Sequence, residues 1–521
     1  MPPGTAFLLK HKWLILFLPL AALVLGQMYY NLPDNYDWTF FGFYDTGTVI
    51  KGDQLISMGL KPAIDFGYTH GLATLLVSHW GFEILGRTPN AVLIMMAIFE
   101  VLMALAIARL VMALKPDARA IVFLFCAIPI AVMPCYLTLT HPLEAFLILW
   151  ALAEHARGRR AQALAICTTA IFFKPSMGYV YGFFLTILIL RDAFGQAKPL
   201  RTLIGNFWLP ALVGILMALA LVLRFGLASL ALTILPITGA RTYAQSNFNF
   251  FTGSGKDFWF PTAGSGANSL YMFPALPFGP HDLNYYLSYY LFTPAGIWLL
   301  LSVIVLVAGI VLAWKLRKRS VDPRIEVLVC IAAMHVIFVL CFYGWTRSWQ
   351  YYSYLPVLFV VGLMCLAKPN FFNWTWAMVL CLAALVSFEQ EFQVSSAAWK
   401  YKTQLPETGG LWVWDGPKQE WQYILSRIDD HPTLIMSNGY LPWMPRNMVM
   451  PLSWFTETGI ATKSEIARVK QQAQKVEYVI EWNQYAQLDL WNQPDFAAVK
   501  GQFRNVWQGW SFTLWRRRGM Y

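Results

Sequence analysis

The sequence predicts an α-helical polytopic membrane protein with about eleven transmembrane helices and a small extracytoplasmic α/β domain at its C-terminal end. Only 13% of the 521 residues are charged and 57% are hydrophobic, and the mean hydropathy is +0.48. Soluble domains carry roughly 25% charged residues, so this composition excludes an ordinary soluble protein. The 39 basic against 28 acidic residues therefore indicate basic loops beside a membrane, not nucleic-acid binding.

Apolar runs give the count of spans, because crossing the hydrocarbon layer takes about 20 residues. Runs that qualify or nearly qualify lie near 13–30, 89–113, 119–137, 140–155, 161–176, 178–192, 205–224, 288–314, 324–343, 353–367 and 371–388. The first run is too long for a cleavable signal. We expect a transmembrane domain over residues 1–389 and a C-terminal α/β domain over 390–521. The seven cysteines show no metal or disulfide spacing.

Basic residues predict the orientation of these spans. They cluster at every second boundary, at Lys10 and Lys12, Lys115 and Arg119, Arg157 to Arg160, Arg191 to Arg201, Lys315 to Arg319, and Lys368. Such boundaries are cytoplasmic, so the N terminus is expected inside. The loops 31–88 and 225–287 and the C-terminal domain are then expected outside.

The outer segments have patterns of their own. In the first loop, residues 48–58 and 72–85 carry spaced apolar side chains over lengths too short to span, which predicts interfacial helices. The second loop is rich in Gly, Asn and aromatic residues, is expected to be irregular and could cover a site. In the C-terminal domain, strands are predicted at 432–437, 476–481 and 506–516, and a helix at 463–475.

The first outer loop carries the densest pattern of polar residues. The residues that form this pattern are Asp45-Thr46-Gly47, Gly59, Pro62, Asp65-Phe66 and Gly71. This order resembles the GT-C superfamily of membrane glycosyltransferases that use a polyprenyl-phosphate sugar, such as protein O-mannosyltransferases and the lipid A aminoarabinose transferase. The sequence departs from that pattern at Ala63, where Tyr is common, and at Leu72, where Pro is common. The motif covers about 30 residues, whereas the plan of spans and loops agrees over the whole chain.

The resemblance implies a hexosyl- or pentosyltransferase in a bacterial inner membrane. It would move one sugar from polyprenyl phosphate to a glycan, lipid or protein acceptor on the outer face, with inversion and without metal, cofactor or nucleic acid. Asp45 would be the general base that takes the acceptor hydroxyl's proton. Alternatively, Asp45 caps a helix that begins at Thr46.

Two cations on the outer side are candidates for the donor phosphate. Lys174 lies at the turn between the fifth and sixth spans, and Arg347 lies between two later spans. A lysine there would offset negative charge on the leaving phosphate, and an arginine suits bidentate phosphate binding. A snorkelling lysine and an arginine stacked on Trp345 or Trp349 are the alternatives.

Four further residues are candidates for sugar or acceptor binding. Asp65 could position a sugar or satisfy turn amides, and His70 could be a site residue or a packed interfacial histidine. His141 and Glu144 open the fourth span. Glu144 could hydrogen-bond the sugar, pair with Lys174 or simply favour the start of the helix.

Two other functions compete with transfer of a single sugar. A transporter or flippase for lipid-linked sugars would line its pathway with the same charges, but no pair of interrupted helices recurs in two halves. A ligase using a diphosphate lipid would favour a large late loop, whereas here the motif loop comes first.

Overall fold

The structure is a computed structural model, mostly helical, with a small sheet near the C terminus. It describes residues 13–38, 45–68, 70–132, 139–235, 294–317, 321–338, 352–367, 373–436, 443–454, 461–483 and 489–519, together with 439, 441 and 456. Side chains at 34–35, 45–46, 130–132, 294–296, 299 and 387–394 lie outside the description.

Helices occupy all eleven apolar runs. They are α1 (Trp13–Tyr30), α5 (Pro89–Leu114), α6 (Ala118–Val132), α7 (Thr140–Ala156), α8 (Arg160–Phe173), α9 (Pro175–Ala193), α10 (Pro199–Phe225), α12 (Pro294–Lys315), α13 (Pro323–Ile337), α14 (Tyr354–Leu366) and α15 (Trp374–Tyr401). Within the described residues, three of these, α1, α5 and α10, are long and apolar enough by themselves to cross a membrane. The count of about eleven spans therefore stays a prediction.

Local sequence explains where several of these helices begin. The Thr88 side chain accepts a hydrogen bond from the Ala91 N–H at 3.2 Å, and Pro89 follows as the first residue of α5. Asp322 caps α13 in the same way before Pro323, with 2.9 Å from the Arg324 N–H. An oxygen-bearing side chain followed by proline satisfies one exposed N–H and removes another, which stabilises a helix start.

A buried ionic cluster joins the ends of four helices on the side expected to be cytoplasmic. Glu326 of α13 accepts hydrogen bonds from Arg160 at 2.6 and 2.8 Å and from Arg191 at 2.8 Å. His155 of α7 lies 3.0 Å from the same carboxylate, and Arg160 also binds Asp192 at 2.6 Å. Because these partners come from α7, α8, α9 and α13, the cluster fixes how the helix ends pack.

The first outer loop contains a short helix α2 (Leu32–Asn35) and two longer ones, α3 (Asp45–Ser57) and α4 (Leu72–Leu85). The helices predicted at 48–58 and 72–85 are thus confirmed. Asp53 of α3 is fully buried and binds His79 and Arg87, each at 2.7 Å. This ion pair holds α3 against the C-terminal end of α4. The second outer loop begins with α11 (Leu227–Ile234), and residues 236–293 lie outside the described part.

The C-terminal domain follows α15 without a break, and the predicted boundary at 389 falls inside that helix. A hairpin of β1 (Lys402–Leu405) and β2 (Leu411–Trp414) comes first, and then α16 (Asp415–Ile428). The five-stranded sheet has the order β4-β3-β5-β7-β6. Its strands are β3 (Thr433–Met436), β4 (Met448–Val449), β5 (Tyr478–Trp482), β6 (Phe503–Gln508) and β7 (Phe512–Arg517), with α17 (Lys463–Ala473) and α18 (Ala497–Lys500) between them.

The sheet confirms the strands near 432–437 and 476–481 and the helix near 463–475. β3 pairs in parallel with β4 and β5, and β7 runs antiparallel to β5 and β6. The single strand predicted at 506–516 is wrong, because the chain turns there between β6 and β7. Glu420 of α16 accepts the N–H groups of Trp510, Ser511 and Phe512 at 2.8 to 3.1 Å. That distant carboxylate stabilises a turn that periodicity alone does not reveal.

Candidate active site

Lys174 lies in the turn between α8 and α9. Its backbone is extended, with φ −153° and ψ 112°, and Pro175 is the first residue of α9. A residue before proline avoids helical backbone angles, so the sequence Lys174-Pro175 separates the two helices at this point. The Lys174 side chain is 5% exposed, which contradicts a lysine that extends into lipid headgroups.

Among the described residues, three side chains accept hydrogen bonds from the ammonium group of Lys174. It donates to Nδ1 of His141 at 2.9 Å, to a carboxylate oxygen of Glu144 at 3.1 Å and to the hydroxyl of Tyr352 at 3.0 Å. An ammonium group only donates, so Nδ1 of His141 is unprotonated. An ammonium group has three N–H donors, so a further ligand would compete with these described partners.

Glu144 anchors this cluster from near the start of α7. Its second carboxylate oxygen accepts hydrogen bonds from the Ser176 hydroxyl at 2.8 Å and the Met177 N–H at 3.0 Å. The side chain is fully buried. Glu144 therefore binds both Lys174 and the first turn of α9, so of its three expected roles the pairing with Lys174 is observed. We call Lys174, Glu144, His141 and Tyr352 the lysine cluster.

The motif-bearing outer loop packs directly against the lysine cluster's turn. The Gly71 N–H donates to the carbonyl of Phe173 at 3.1 Å, and the Thr74 hydroxyl donates to the same oxygen at 2.7 Å. A Cβ atom on Gly71 would overlap the carbonyl oxygen of Phe172. Only glycine allows this approach, so Gly71 brings the loop and Lys174 together.

His70 belongs to this loop and contacts the C-terminal domain. Its ring contacts Tyr68 and Trp454 edge-on, with centroid distances of 5.9 and 5.5 Å. Burial first, and then the positive charge of Lys174, lower the pKa of His70 to about 3. His70 is therefore neutral near pH 7. It packs among aromatic rings, near enough to Lys174 for the two groups to interact electrostatically.

Asp65 satisfies its own turn. One carboxylate oxygen accepts the Lys61 N–H at 2.7 Å, and the Asp65 N–H donates to the Lys61 carbonyl at 2.8 Å. The side chain is partly exposed. The turn-amide role is thus observed, and a role in sugar binding stays a prediction.

The C-terminal domain holds the motif loop through Glu465. This buried carboxylate accepts the Gly67 N–H at 2.8 Å, and within its own domain the Ser453 hydroxyl at 3.0 Å and the Trp454 N–H at 3.1 Å. Arg468 donates to the Asp65 carbonyl, and burial raises the pKa of Glu465. Glu465 and Arg468 of α17 thereby bind the motif loop to the C-terminal domain.

Trp454 adds a third contact, to α3. Its indole N–H donates to the Thr48 carbonyl at 2.8 Å. Sequence reasoning did not select Glu465, Tyr352 or Ser176. Thr462 to Glu465 forms a capping box, which predicts a helix start but says nothing of the distant Gly67. Ser176 lies two residues after the candidate Lys174, and this proximity in sequence could have marked it as a further candidate.

Two predicted site residues are less fully seen. Asp45 is the first residue of α3, but its side chain lies outside the description. Arg347 lies outside the described residues altogether. Over the described part of the chain, no group of three or more His, Cys, Asp or Glu side chains is placed to hold a metal ion.

Comparison with known proteins gives similar folds only. No protein-family model matches the sequence, and no curated protein matches it. The crystal structure of ArnT from Cupriavidus metallidurans in the apo state is similar with a TM-score of 0.49 and 14% identity, covering 97% of this chain and 98% of that chain. The crystal structure of the same protein bound to undecaprenyl phosphate gives 0.46 and 12%, with the same coverage.

Proposed function

We propose that the protein is a GT-C-type glycosyltransferase that moves one hexose or pentose from a polyprenyl phosphate to a glycan, lipid or protein acceptor. The observation that carries the proposal is the contact between the motif loop and the lysine cluster through Gly71 and Phe173. A sugar-transfer site needs a base for the acceptor and a cation for the leaving phosphate. The loop that supplies the proposed base, Asp45, is the one that packs beside Lys174.

Lys174 would receive the donor phosphate by exchanging a partner. Of its three partners, His141 and the Tyr352 hydroxyl are neutral acceptors, whereas Glu144 is a carboxylate. A phosphate oxygen binds an ammonium group more strongly than a neutral hydroxyl does. Phosphate would therefore displace the Tyr352 hydroxyl or His141, and Glu144 would keep Lys174 in position. Arg347 is proposed as a second, bidentate phosphate ligand.

The remaining candidates act around the sugar. Asp45 would take the acceptor hydroxyl's proton as that oxygen attacks the anomeric carbon, and the leaving phosphate would depart with inversion. Partly exposed Asp65 and neutral His70 would hydrogen-bond a sugar or the acceptor. No metal or cofactor is part of this proposal. The membrane is proposed to be a bacterial inner membrane, with this site and the C-terminal domain on its outer face.

The test is a transfer assay with the full-length protein in lipid vesicles. A polyprenyl phosphate carrying a radiolabelled sugar is supplied with extracted envelope glycolipid, and free polyprenyl phosphate and labelled acceptor are measured. We expect the two products to appear together. Mass spectrometry of envelope glycans from a deletion strain would identify the acceptor.

A transporter gives a different result in the same vesicles. The intact lipid-linked sugar would change leaflets without cleavage of its glycosyl bond. Movement of uncleaved donor, with no free polyprenyl phosphate formed over many turnover times, would contradict the proposed function.

A further inference from the structure

A second polar site lies at the opposite end of the helices. A cavity of about 320 Å³ opens between α7, α8 and α10, and Arg109 of α5 also reaches it. Its polar end is formed by Arg109, Glu154 and Arg159. Arg159 precedes α8 and Lys174 follows it, and the 14 residues between them span about 21 Å. This cavity is therefore separate from the lysine cluster.

The polar end of the cavity has more positive than negative charge. Glu154 is bound by Arg109 at 2.8 Å through Nε, by Arg159 at 3.3 Å and by Arg157 at 3.7 Å. Three guanidinium groups thus share one buried carboxylate. Desolvation and then the charge of Arg109 lower the pKa of Arg157, although Glu154 opposes the shift. An anion placed here would relieve this repulsion.

The two arginines that line the cavity, Arg109 and Arg159, differ in how far they are buried. The Arg109 guanidinium stacks on Trp150 with 4.3 Å to the ring centroid, and its side chain is 15% exposed. The Arg159 side chain is 55% exposed. Since a guanidinium group has five N–H donors, Arg159 keeps donors for a ligand after it binds Glu154. By contrast, Arg160 is bound to both Asp192 and Glu326.

The other end of the cavity is apolar and opens at the lateral surface of the helices. Ile166 of α8 and Leu209 and Val213 of α10 line it. On the adjoining surface of α10, Trp208 is 57% and Leu212 45% exposed. α10 is apolar enough to cross a membrane, so this surface lies against lipid chains. An occupant therefore needs an anionic head and an apolar tail.

We propose that this cavity is a binding site for the phosphate headgroup of an anionic glycerophospholipid, in the leaflet opposite the lysine cluster. Arg159 and Arg109 donate to the phosphate oxygens, and an acyl chain lies along Leu209 and Val213. Basic pockets between transmembrane helices bind anionic headgroups in this manner. The proposal does not depend on the glycosyltransferase function, because none of these residues belongs to the candidate active site.

Native mass spectrometry of the full-length protein in detergent tests the proposal. Phosphatidylglycerol and phosphatidylethanolamine of equal chain length are titrated separately. We expect phosphatidylglycerol to bind at least about 10-fold more tightly. Arg159→Gln should lower its affinity at least about 10-fold, because a charge-assisted hydrogen bond is lost. Leu209→Trp, which fills the apolar end, should also weaken binding without a change in charge.

Matched controls for both variants lie on α10. Arg201→Gln removes an exposed arginine of α10 outside the cavity, and Leu216→Trp adds an indole on its outer surface. Both should bind phosphatidylglycerol as the wild type does. Equal affinity for the two lipids, or wild-type affinity in Arg159→Gln, would overturn the proposal. Displacement of the lipid by an equal concentration of glycerol 1-phosphate would assign the site to a soluble anion instead.

Discussion

Asp45 and Lys174 carry the chemistry of the proposed reaction. Lys174 is buried with three partners, so its position is defined by the fold. Asp45 is placed only through its backbone, as the first residue of α3. Its neighbours Asp53 and Asp65 both have structural partners, namely His79 and Arg87 for the first and the Lys61 amide for the second. We assign proton transfer to Asp45 because the resemblance of the motif loop to GT-C transferases implies that role.

The Asp45→Asn variant tests that assignment. The amide is nearly isosteric but cannot take a proton, so kcat should fall by roughly 10²- to 10⁴-fold while donor affinity is retained. Steady-state transfer assays and binding of polyprenyl phosphate measure the two effects. Asp495→Asn, in the C-terminal domain, is the control. Near wild-type turnover in Asp45→Asn, with Asp65→Asn or Asp37→Asn inactive, would show that another carboxylate is the base.

Helices and turns determine where these residues lie, and the sequence predicts many of those helices and turns. Each of the eleven apolar runs contains a helix, because long apolar stretches have to be buried in lipid or protein, whereas α16 (Asp415–Ile428) lies in no such run and was not predicted. The turn at Lys174-Pro175 and the helix 72–85 followed from proline and from residue spacing. The hairpin turn at 509–511 could not be predicted, since Glu420, about 90 residues earlier in the chain, stabilises it.

Gly71 provides the test of how α4 and the α8–α9 turn position the site. Gly71→Ala places a methyl group against the Phe172 carbonyl, and backbone must move. We expect a loss of about 1–3 kcal/mol in the free energy of unfolding and a clear loss of activity. Thermal melting in detergent and transfer assays measure these changes.

Gly205→Ala is the matched control for that substitution. Gly205 lies in α10 with no atom near its Cβ position, so alanine there should be neutral or stabilising. If Gly71→Ala melts and transfers sugar as Gly205→Ala does, the close approach of the loop to the turn is not required.

Contacts between the C-terminal domain and the first outer loop organise the whole molecule. Glu465 binds Gly67, Arg468 binds Asp65, and Lys402 pairs with Asp37 at 3.0 Å. The composition could predict a separate outer domain, but not these contacts, because they join residues about 400 positions apart. For the same reason, the clustering of His141, Glu144 and Tyr352 around Lys174 needed the structure, although three of the four were candidates from the sequence.

Glu465→Gln should separate loop positioning from folding of the domain. The Glu465 carboxylate accepts hydrogen bonds from Gly67, Ser453, Trp454 and Thr462. Glutamine keeps only one acceptor oxygen, so some of these four donors lose their partner and the loop 61–71 should loosen. We expect kcat to fall at least about 10-fold with a folded domain. Glu420→Gln, which affects only the hairpin turn of the same domain, should keep activity. Equal activity in the two variants would remove the positioning role.

Orientation across the membrane is a further property of the whole chain. In a cysteine-free background, Met58→Cys and Trp510→Cys, at side chains that are 59% and 90% exposed, should react with an impermeant maleimide added to intact spheroplasts. Gly158→Cys, in the loop before α8, should react only after lysis. Labelling of Gly158→Cys from outside would reverse the predicted topology.

Binding of sugar-free polyprenyl phosphate to variants of the Lys174–Glu144 pair tests the central claim most directly. Removing both charges together, in Lys174→Met/Glu144→Gln, avoids leaving one buried charge unpaired, so the double variant should fold. We predict that it binds the lipid roughly 10- to 150-fold more weakly than the wild type. Glu144→Gln alone should bind at least as tightly as the wild type, because a competing carboxylate is gone. Wild-type affinity in the double variant would contradict a phosphate site at Lys174 and leave the pair a structural one.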